Sequence, residues 1–164
     1  MKKGIVILFH DNASDVDKDY FTKKMDYAKN LQICLVDNNS KDETYQVLSE
    51  IAEDCENVSI VNVKKHKTDI SAARAGVRFL SNKYNLSEIA YICYDLLPSN
   101  QRGLDEFFKL LIENQHSSLN PKFNYEENGK SKKTLFQSLF SLNGFVQNFK
   151  SKSTVARTHN QIEA

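Results

Sequence analysis

Short apolar runs alternate with amphipathic stretches along the first 116 residues. Four runs have the length of β-strands and are rich in β-branched residues; they span 5–9, 31–36, 58–63 and 89–94. After each run, apolar residues recur at steps of three and four, which indicates a helix with one buried face. Because every strand is followed by a helix, the pattern predicts an α/β fold with a Rossmann-like parallel sheet covered on both faces.

The helical stretches have recognisable apolar stripes, and one of them has a start signal. The stripes cover 16–28, 44–55, 70–84 and 104–112. Ser40-Lys41-Asp42-Glu43 has the form of a capping box, so the second helix is expected to begin within it.

Charge and periodicity both change after residue 116. Residues 117–164 carry seven basic and three acidic side chains, whereas residues 1–116 carry fifteen and eighteen. We therefore predict a folded domain over 1–116, a loop over 117–131, an amphipathic helix over 132–150 and a disordered tail over 151–164. The 164 residues suffice for one domain with a core.

The composition excludes several classes of protein. A net charge of +1 gives no strongly basic field, so nucleic acid is not an expected partner. No apolar run approaches the ~20 residues that a membrane span needs, and no secretory signal is recognisable, so we expect a cytoplasmic protein. Cys34, Cys55 and Cys93 have neither the spacing of a zinc site nor an even number, which predicts buried free thiols.

The stretch Lys132–Phe149 is the candidate for an interaction surface. Its apolar stripe is flanked by lysines on both sides and consists of Leu135, Leu139, Leu142, Val146 and Phe149. Basic flanks and a Leu/Phe face are typical of an interfacial helix, here at the inner face of a membrane. Packing on the sheet or on a second copy of the chain is the alternative.

Polar side chains follow the predicted strands. His10 to Asn12 follow the first strand, Asp37 and Asn38 end the second, and Asp95 follows the fourth. Ligands of open parallel sheets bind at the carboxyl ends of the strands, where the strand order reverses. A carboxylate at such a tip needs a partner, so Asp37 is the strongest candidate for ligand binding.

Three segments resemble family 2 glycosyltransferases, which are inverting enzymes with a GT-A fold that use nucleotide-diphosphate sugars. The segment 36–44, VDNNSKDET, is similar to their V-D-x-x-S-x-D-x-T motif. The segment 6–12, VILFHDN, resembles their first strand, with Asn12 on its usual Asn and Phe9 in place of Pro. Ala72–Val77, AARAGV, is similar to the A-L-R-A-G-L helix of the polyprenol-phosphate sugar transferases.

The resemblance implies a nucleotide-sugar site. It implies that Asp37 bonds the base, that the main chain around Phe9 and His10 lines the nucleoside, and that Arg74 reaches the diphosphate. The nucleotide-binding set that it implies is Phe9, His10, Asn12, Asp37, Asn38 and Arg74. For Ser40 and Asp42 a turn and helix cap is the alternative. For Arg74 the alternative is a solvated position one turn before Arg78.

Family members also carry a D-x-D motif that binds Mg²⁺ or Mn²⁺ with the diphosphate. This chain has Cys93-Tyr94-Asp95-Leu96-Leu97, so Asp95 is the one carboxylate and the expected metal ligand. We assign no catalytic base. The segment that supplies this base in the family is expected to be incomplete here. After residue 116, Glu126 and Glu127 are the only two acidic residues that are adjacent in sequence.

We therefore predict a glycosyltransferase-like enzyme, a hexosyltransferase acting in cell-wall or polysaccharide synthesis. Its acceptor would be a polysaccharide or a lipid-linked molecule. The alternative is a catalytically inactive GT-A-like module with a binding or protein-interaction role, which the incomplete D-x-D motif favours.

Overall fold

The computed structural model describes residues 2–113 and the main chain of residues 139–141. Its strands and helices alternate in chain order: β1 Lys2–Phe9, α1 Lys18–Tyr27, β2 Leu31–Asn38, α2 Thr44–Asp54, β3 Val58–Val63, α3 Asp69–Lys83, β4 Leu86–Cys93, a 3-10 turn Tyr94–Leu96, α4 Gln101–Glu113 and β5 Leu139–Ser141.

The strands form one parallel sheet in the order β3-β2-β1-β4-β5. The chain moves outward from β1 to β3 and then returns across the sheet to place β4 on the other side of β1. The strand order therefore reverses between β1 and β4, which is where such sheets bind ligands. The predicted α/β Rossmann-like fold is confirmed.

Apolar side chains of the central strand alternate between two cores. Ile5, Ile7 and Phe9 of β1 pack with α1, α2 and α4 on one face of the sheet. Val6 and Leu8 pack with α3 on the other face. Because both faces are covered, the strand reads as a continuous apolar run rather than as an alternating one.

The predicted capping box before α2 is wrong. The helix begins at Thr44, and its N-cap residue, Glu43, makes no side-chain cap hydrogen bond. Ser40 and Asp42 instead accept hydrogen bonds from the loop that follows β1. Asp42 also accepts the Thr44 N–H at the start of the helix, at 3.0 Å, so the tertiary contact removes Ser40 from the helix end and adds to the local hydrogen bond of Asp42.

The predicted amphipathic helix over 132–150 is wrong at Leu139–Ser141, which form β5. These residues pair in parallel with Ile89 to Tyr91 of β4. The free edge of β4 offers main-chain hydrogen bonds that hydrophobic periodicity does not register. The other residues of that prediction, the loop 117–131 with Glu126 and Glu127, and the tail 151–164 lie outside the described residues.

The cysteine prediction is confirmed, since Cys34, Cys55 and Cys93 are buried free thiols. Burial raises the pKa of Cys34 to about 12, so its thiol stays protonated. Among the described residues, no helix is both long and apolar enough to cross a bilayer.

Candidate functional site

The polar strand ends converge at the carboxyl edge of the sheet, at the point where the strand order reverses. Asn12 follows β1, Asp95 lies in the 3-10 turn after β4, and the Asn12 Nδ2 group donates a 2.7 Å hydrogen bond to Asp95 Oδ1. Asn12 is only 3% exposed, whereas Asp95 is exposed. One hydrogen bond thus joins the segments that follow β1 and β4 and orients the Asp95 carboxylate.

Three side chains of the segment 36–44 hold the loop after β1 by its main chain. Each accepts the N–H of one of three successive residues: Ser40 Oγ from Asp11 at 2.9 Å, Thr44 Oγ1 from Asn12 at 2.8 Å, and Asp42 Oδ2 from Ala13 at 3.0 Å. Because three consecutive N–H groups each have a side-chain acceptor, the main chain of this loop is held in place. The Ser, Asp and Thr of this motif therefore position Asn12, and through it Asp95.

A further hydrogen bond joins the loop after β1 to the loop after β2, and here the donor lies in the loop after β2. The Lys41 N–H donates to Asp11 Oδ1 at 2.6 Å. Asp11 and Asn39 have φ of 52° and 59°, a left-handed conformation that Asp and Asn tolerate better than most residues. The reciprocal hydrogen bonds hold this conformation in place, which accounts for Asp and Asn at these two positions.

We call Ser40, Asp42 and Thr44, which hold the loop after β1, the clamp, and Asp42 is its ionisable member. Partial loss of water would by itself raise the pKa of Asp42, but hydrogen bonds from the Thr44 hydroxyl and from the Thr44 and Ala13 N–H groups outweigh it. The pKa is therefore below its ordinary 3.8. A depressed folded-state pKa stabilises the fold above pH 3.8, and this contribution is lost as pH falls through the folded-state pKa.

We expect Asp42→Asn to lower the free energy of unfolding at neutral pH. An amide has one acceptor oxygen, so either Thr44 or Ala13 loses its hydrogen bond. Urea unfolding of both proteins at neutral pH and at stepwise lower pH should show the difference shrinking below pH 3.8. Asp19→Asn, an exposed carboxylate on α1, is the control. A difference that does not change with pH would contradict the assignment.

Asp37 lies beneath the clamp at the end of β2 and is 2% exposed. Its Oδ1 accepts a 3.2 Å hydrogen bond from the Ser40 N–H and another from the Ser40 hydroxyl. Its Oδ2 receives no hydrogen bond from a described residue. A carboxylate with one bonded and one open oxygen at a strand tip is suited to accept N–H groups from a ligand.

Asn38, His10 and His66 form a second group of polar residues at this edge of the sheet. The Asn38 side chain pairs with the Lys67 main chain, donating to its carbonyl at 2.8 Å and accepting from its N–H at 3.0 Å. The Asn38 carbonyl is contacted by Nδ1 of His10 at 2.9 Å and of His66 at 3.3 Å. The two rings meet edge to face, with centroids 4.7 Å apart. The Asn38 side chain therefore positions the loop between β3 and α3.

Two residues of the predicted nucleotide-binding set lie apart from this cluster. The Phe9 side chain is buried and stacks on Tyr94 at 4.9 Å between ring centroids, so only its main chain faces the carboxyl edge. Burial and the carboxylates Asp15 and Asp95 raise the pKa of Tyr94, which donates its hydroxyl to the Asp15 carbonyl. Arg74 is exposed on α3, and its side chain makes no hydrogen bond or ion pair with a described residue.

The chemistry of the donor set limits what cation the site can hold. Among the described residues there is no group of three His, Cys, Asp or Glu side chains placed to bind a metal ion. Asp95 is the one carboxylate at the D-x-D position. One of its oxygens accepts the hydrogen bond from Asn12, and the other is left for a cation. Such a set fits a hard cation that is shared with phosphate oxygens, as Mg²⁺ usually is, and does not fit one held by protein alone.

Sequence reasoning missed Thr44 and the pairing of His10 with His66. Thr44 is a fully buried member of the inner stripe of α2, as predicted, but that prediction did not include the hydrogen bond that its hydroxyl accepts from the Asn12 N–H. The position of Thr44 in the family motif was the sequence signal that could have indicated this role. His10 and His66 lie 56 residues apart in sequence and meet only because both contact Asn38.

A protein-family model described as Glycosyl transferase family 2 matches residues 16–93. The matched segment contains Asp37 and the whole clamp motif, and it ends at the last residue of β4. No curated protein matches the chain. Together with the parallel sheet and its strand order, the match shows that this chain contains a family 2 glycosyltransferase-like domain with a GT-A Rossmann-like fold.

Proposed function

We propose that the chain binds a nucleotide-diphosphate sugar at the carboxyl edge of β1, β2 and β4 and transfers the sugar with inversion. The observation that carries this proposal is the Asn12–Asp95 hydrogen bond, which orients a carboxylate at the carboxyl edge of the sheet, where the strand order reverses. The family supports a glycosyltransferase-like function in general. The acceptor would be a polysaccharide or a lipid-linked molecule, and the buried free thiols accord with a cytoplasmic location.

In this proposal, different residues at the carboxyl edge bind the base, the nucleoside and the diphosphate. The open oxygen of Asp37 accepts N–H groups of the base, and the main chain at Phe9 and His10 lines the nucleoside. Arg74 approaches the diphosphate, for which a planar guanidinium is well suited. A divalent cation would be held by Asp95 together with the diphosphate and would neutralise the charge of the leaving group.

A titration of the purified protein with several nucleoside diphosphates, with and without Mn²⁺, tests this function. We expect at least one of them to bind and Mn²⁺ to tighten its binding. In Asp95→Asn the tightening should disappear while binding without metal remains. Glu56→Gln, which changes an exposed carboxylate in the loop before β3, at the opposite edge of the sheet, should behave as wild type. If no nucleoside diphosphate binds under either condition, the proposal is wrong.

A second candidate function is binding without turnover. It is favoured by the single carboxylate at the D-x-D position, one oxygen of which is already bonded to Asn12. In that case the protein would bind a nucleotide sugar or another protein but would not release the nucleoside diphosphate. Incubation with the nucleotide sugar of the base that binds tightest, followed by chromatography of the nucleotides, separates the two candidates.

A further inference from the structure

A pocket of about 440 Å³ lies at the amino edge of the sheet, at the opposite end of the strands from the candidate functional site. It is lined by residues at the start of β1 and β2, in the loop before β3, and at the ends of the three helices that return to this edge. Gln32, which lines the pocket, and Asp37 are five residues apart on β2, or about 17 Å. The pocket is therefore separate from the candidate site, and its volume is in the range of sites that hold a whole small molecule.

Gln32 is a buried polar side chain without a partner. It is paired with Gly4 in the sheet and is only 3% exposed. Its amide forms no hydrogen bond with a residue that the structure describes. A buried amide without hydrogen bonds lowers the stability of a fold, and such groups in native proteins usually have a partner. Because Gln32 lines the pocket, a ligand that enters the pocket can supply the missing hydrogen bonds.

Asn57, the second buried amide of the pocket, leaves an acceptor unused. Its Nδ2 group donates to the carbonyl oxygens of Met25, Ala28 and Leu31 at 3.1, 3.0 and 3.3 Å. These three hydrogen bonds fix the direction of the amide, and its Oδ1 accepts none from the described part of the chain. Asn57 and Gln32 therefore both offer an acceptor oxygen at the same pocket.

The charge around the pocket is negative. The carboxylates of Asp26, Asp54 and Glu56 line it, against the ammonium groups of Lys2 and Lys29. Helices α1, α2 and α3 also end at this edge, and the carbonyl end of a helix carries a partial negative charge. Asp26 and Asp54 lie in the last turns of α1 and α2, where a cation is normally favoured. Carboxylates and helix ends together favour a positively charged ligand.

One of these three carboxylates is available to such a ligand. Asp26 pairs with Lys29 at 3.3 Å, and Asp54 pairs with Lys18 at 3.7 Å. Glu56 is exposed and forms no ion pair with any residue for which the structure gives a position. A cation in the pocket would therefore bind Glu56 without displacing a lysine.

We propose that this pocket binds a small organic amine in its ammonium form. An ammonium group donates hydrogen bonds and accepts none, so it matches the acceptor oxygens of Gln32 and Asn57 and the carboxylate of Glu56. The Tyr84 ring also attracts cations, since the Lys2 Nζ already lies 5.5 Å from its centre. The proposal concerns the amino edge alone and does not depend on nucleotide binding.

Other ligands fit the pocket less well. A metal ion needs several ligating side chains, and the described residues contain no group of three His, Cys, Asp or Glu placed to bind one. An anion would be repelled by the surplus of carboxylates and by the helix ends. A single lysine side chain of a partner protein would leave much of the 440 Å³ unfilled.

Isothermal titration of the full chain at low salt tests the proposal. We expect saturable binding of 1,4-diaminobutane and spermidine and none of 1,4-butanediol, which has the same chain length as the diamine but no charge. Acetyl-lysinamide, which imitates a lysine of a partner protein, should bind more weakly than spermidine. In ¹⁵N–¹H spectra, the side-chain amide signals of Gln32 should shift on addition of spermidine, and their absence in Gln32→Met identifies them.

Three variants of the pocket have different expected effects. Gln32→Met has similar volume and should weaken amine binding about tenfold, the effect of one hydrogen bond to a charged group. The same change should raise the midpoint of urea unfolding without ligand, because it removes a buried amide that has no partner. Glu56→Gln should weaken binding about threefold, as for an exposed ion pair. Lys2→Gln should strengthen binding about twofold, because it removes a like charge.

The matched controls lie at the opposite end of α2. Gln46→Met and Glu43→Gln make the same chemical changes at exposed positions and should leave the affinity unchanged. The proposal is wrong if no amine binds saturably, if controls and pocket variants lose affinity equally, or if acetyl-lysinamide binds more tightly than spermidine. Weaker binding in Lys2→Gln would indicate an anionic ligand group and would overturn it as well. A lower unfolding midpoint in Gln32→Met with unchanged affinity would show that Gln32 is structural, which also contradicts the proposal.

Discussion

Asp37→Ala is expected to weaken the binding of a nucleoside diphosphate by about 10- to 100-fold, the effect of losing a hydrogen bond to a charged group at about 1.5–3 kcal/mol. The carboxylate is 2% exposed at the end of β2, and its Oδ2 has no hydrogen-bond partner among the described residues. A base that donates to this oxygen loses its acceptor in the variant. Isothermal titration with the tightest-binding nucleoside diphosphate measures the change.

Two further variants separate a binding role of Asp37 from a structural one. Asp37→Asn keeps the size of the side chain and one oxygen, so it should fold as wild type and still lose affinity. Ser40→Ala removes the hydroxyl that bonds Asp37 but leaves the carboxylate, so it should lose stability more than affinity. Normal affinity in a folded Asp37→Asn or Asp37→Ala protein would disprove the assignment.

Gly76→Ala is expected to destabilise the fold by about 1–3 kcal/mol, which is the usual cost of an overpacked core. A Cβ at position 76 would lie 2.8 Å from Val6 Cγ1 and 2.9 Å from Val36 Cγ2. Both valines are fully buried strand residues with stiff side chains, so neither can move aside easily. Gly76 therefore allows α3 to pack directly on β1 and β2, and urea unfolding measures the loss.

Whether Gly76→Ala raises or lowers the free energy of unfolding tests whether α3 is held close to the sheet. In an uncrowded helix, Ala is favoured over Gly by about 1 kcal/mol, so the variant would be more stable if the close approach were absent. Ala75→Gly, one position earlier on α3, measures this propensity in the same helix and should destabilise by about that amount. A stabilised Gly76→Ala protein would show that the helix can move away from the sheet at little cost.

Several features of the site could be predicted from the sequence because they depend on local order. The strand tips at His10, Asp37 and Asp95 follow from where apolar runs end, and a parallel sheet necessarily gathers such tips at one edge. The family motif located Asp37 correctly at a buried tip. The roles of Ser40 and Asp42 could not be predicted, because a capping box and a clamp on a distant loop use the same side chains.

The sequence by itself determined the α/β class, the order of the first eight strands and helices, and the buried cysteines, since hydrophobic periodicity is a property of neighbours along the chain. Only the tertiary structure decided that Asn12 holds Asp95, that His10 meets His66, and that Leu139–Ser141 form a strand on β4. It also decided that the exposed side chains of Lys64, Lys65, Lys67, Arg74, Arg78 and Lys83 form no ion pair with a residue that the structure describes, because pairing depends on which helices share a face of the sheet.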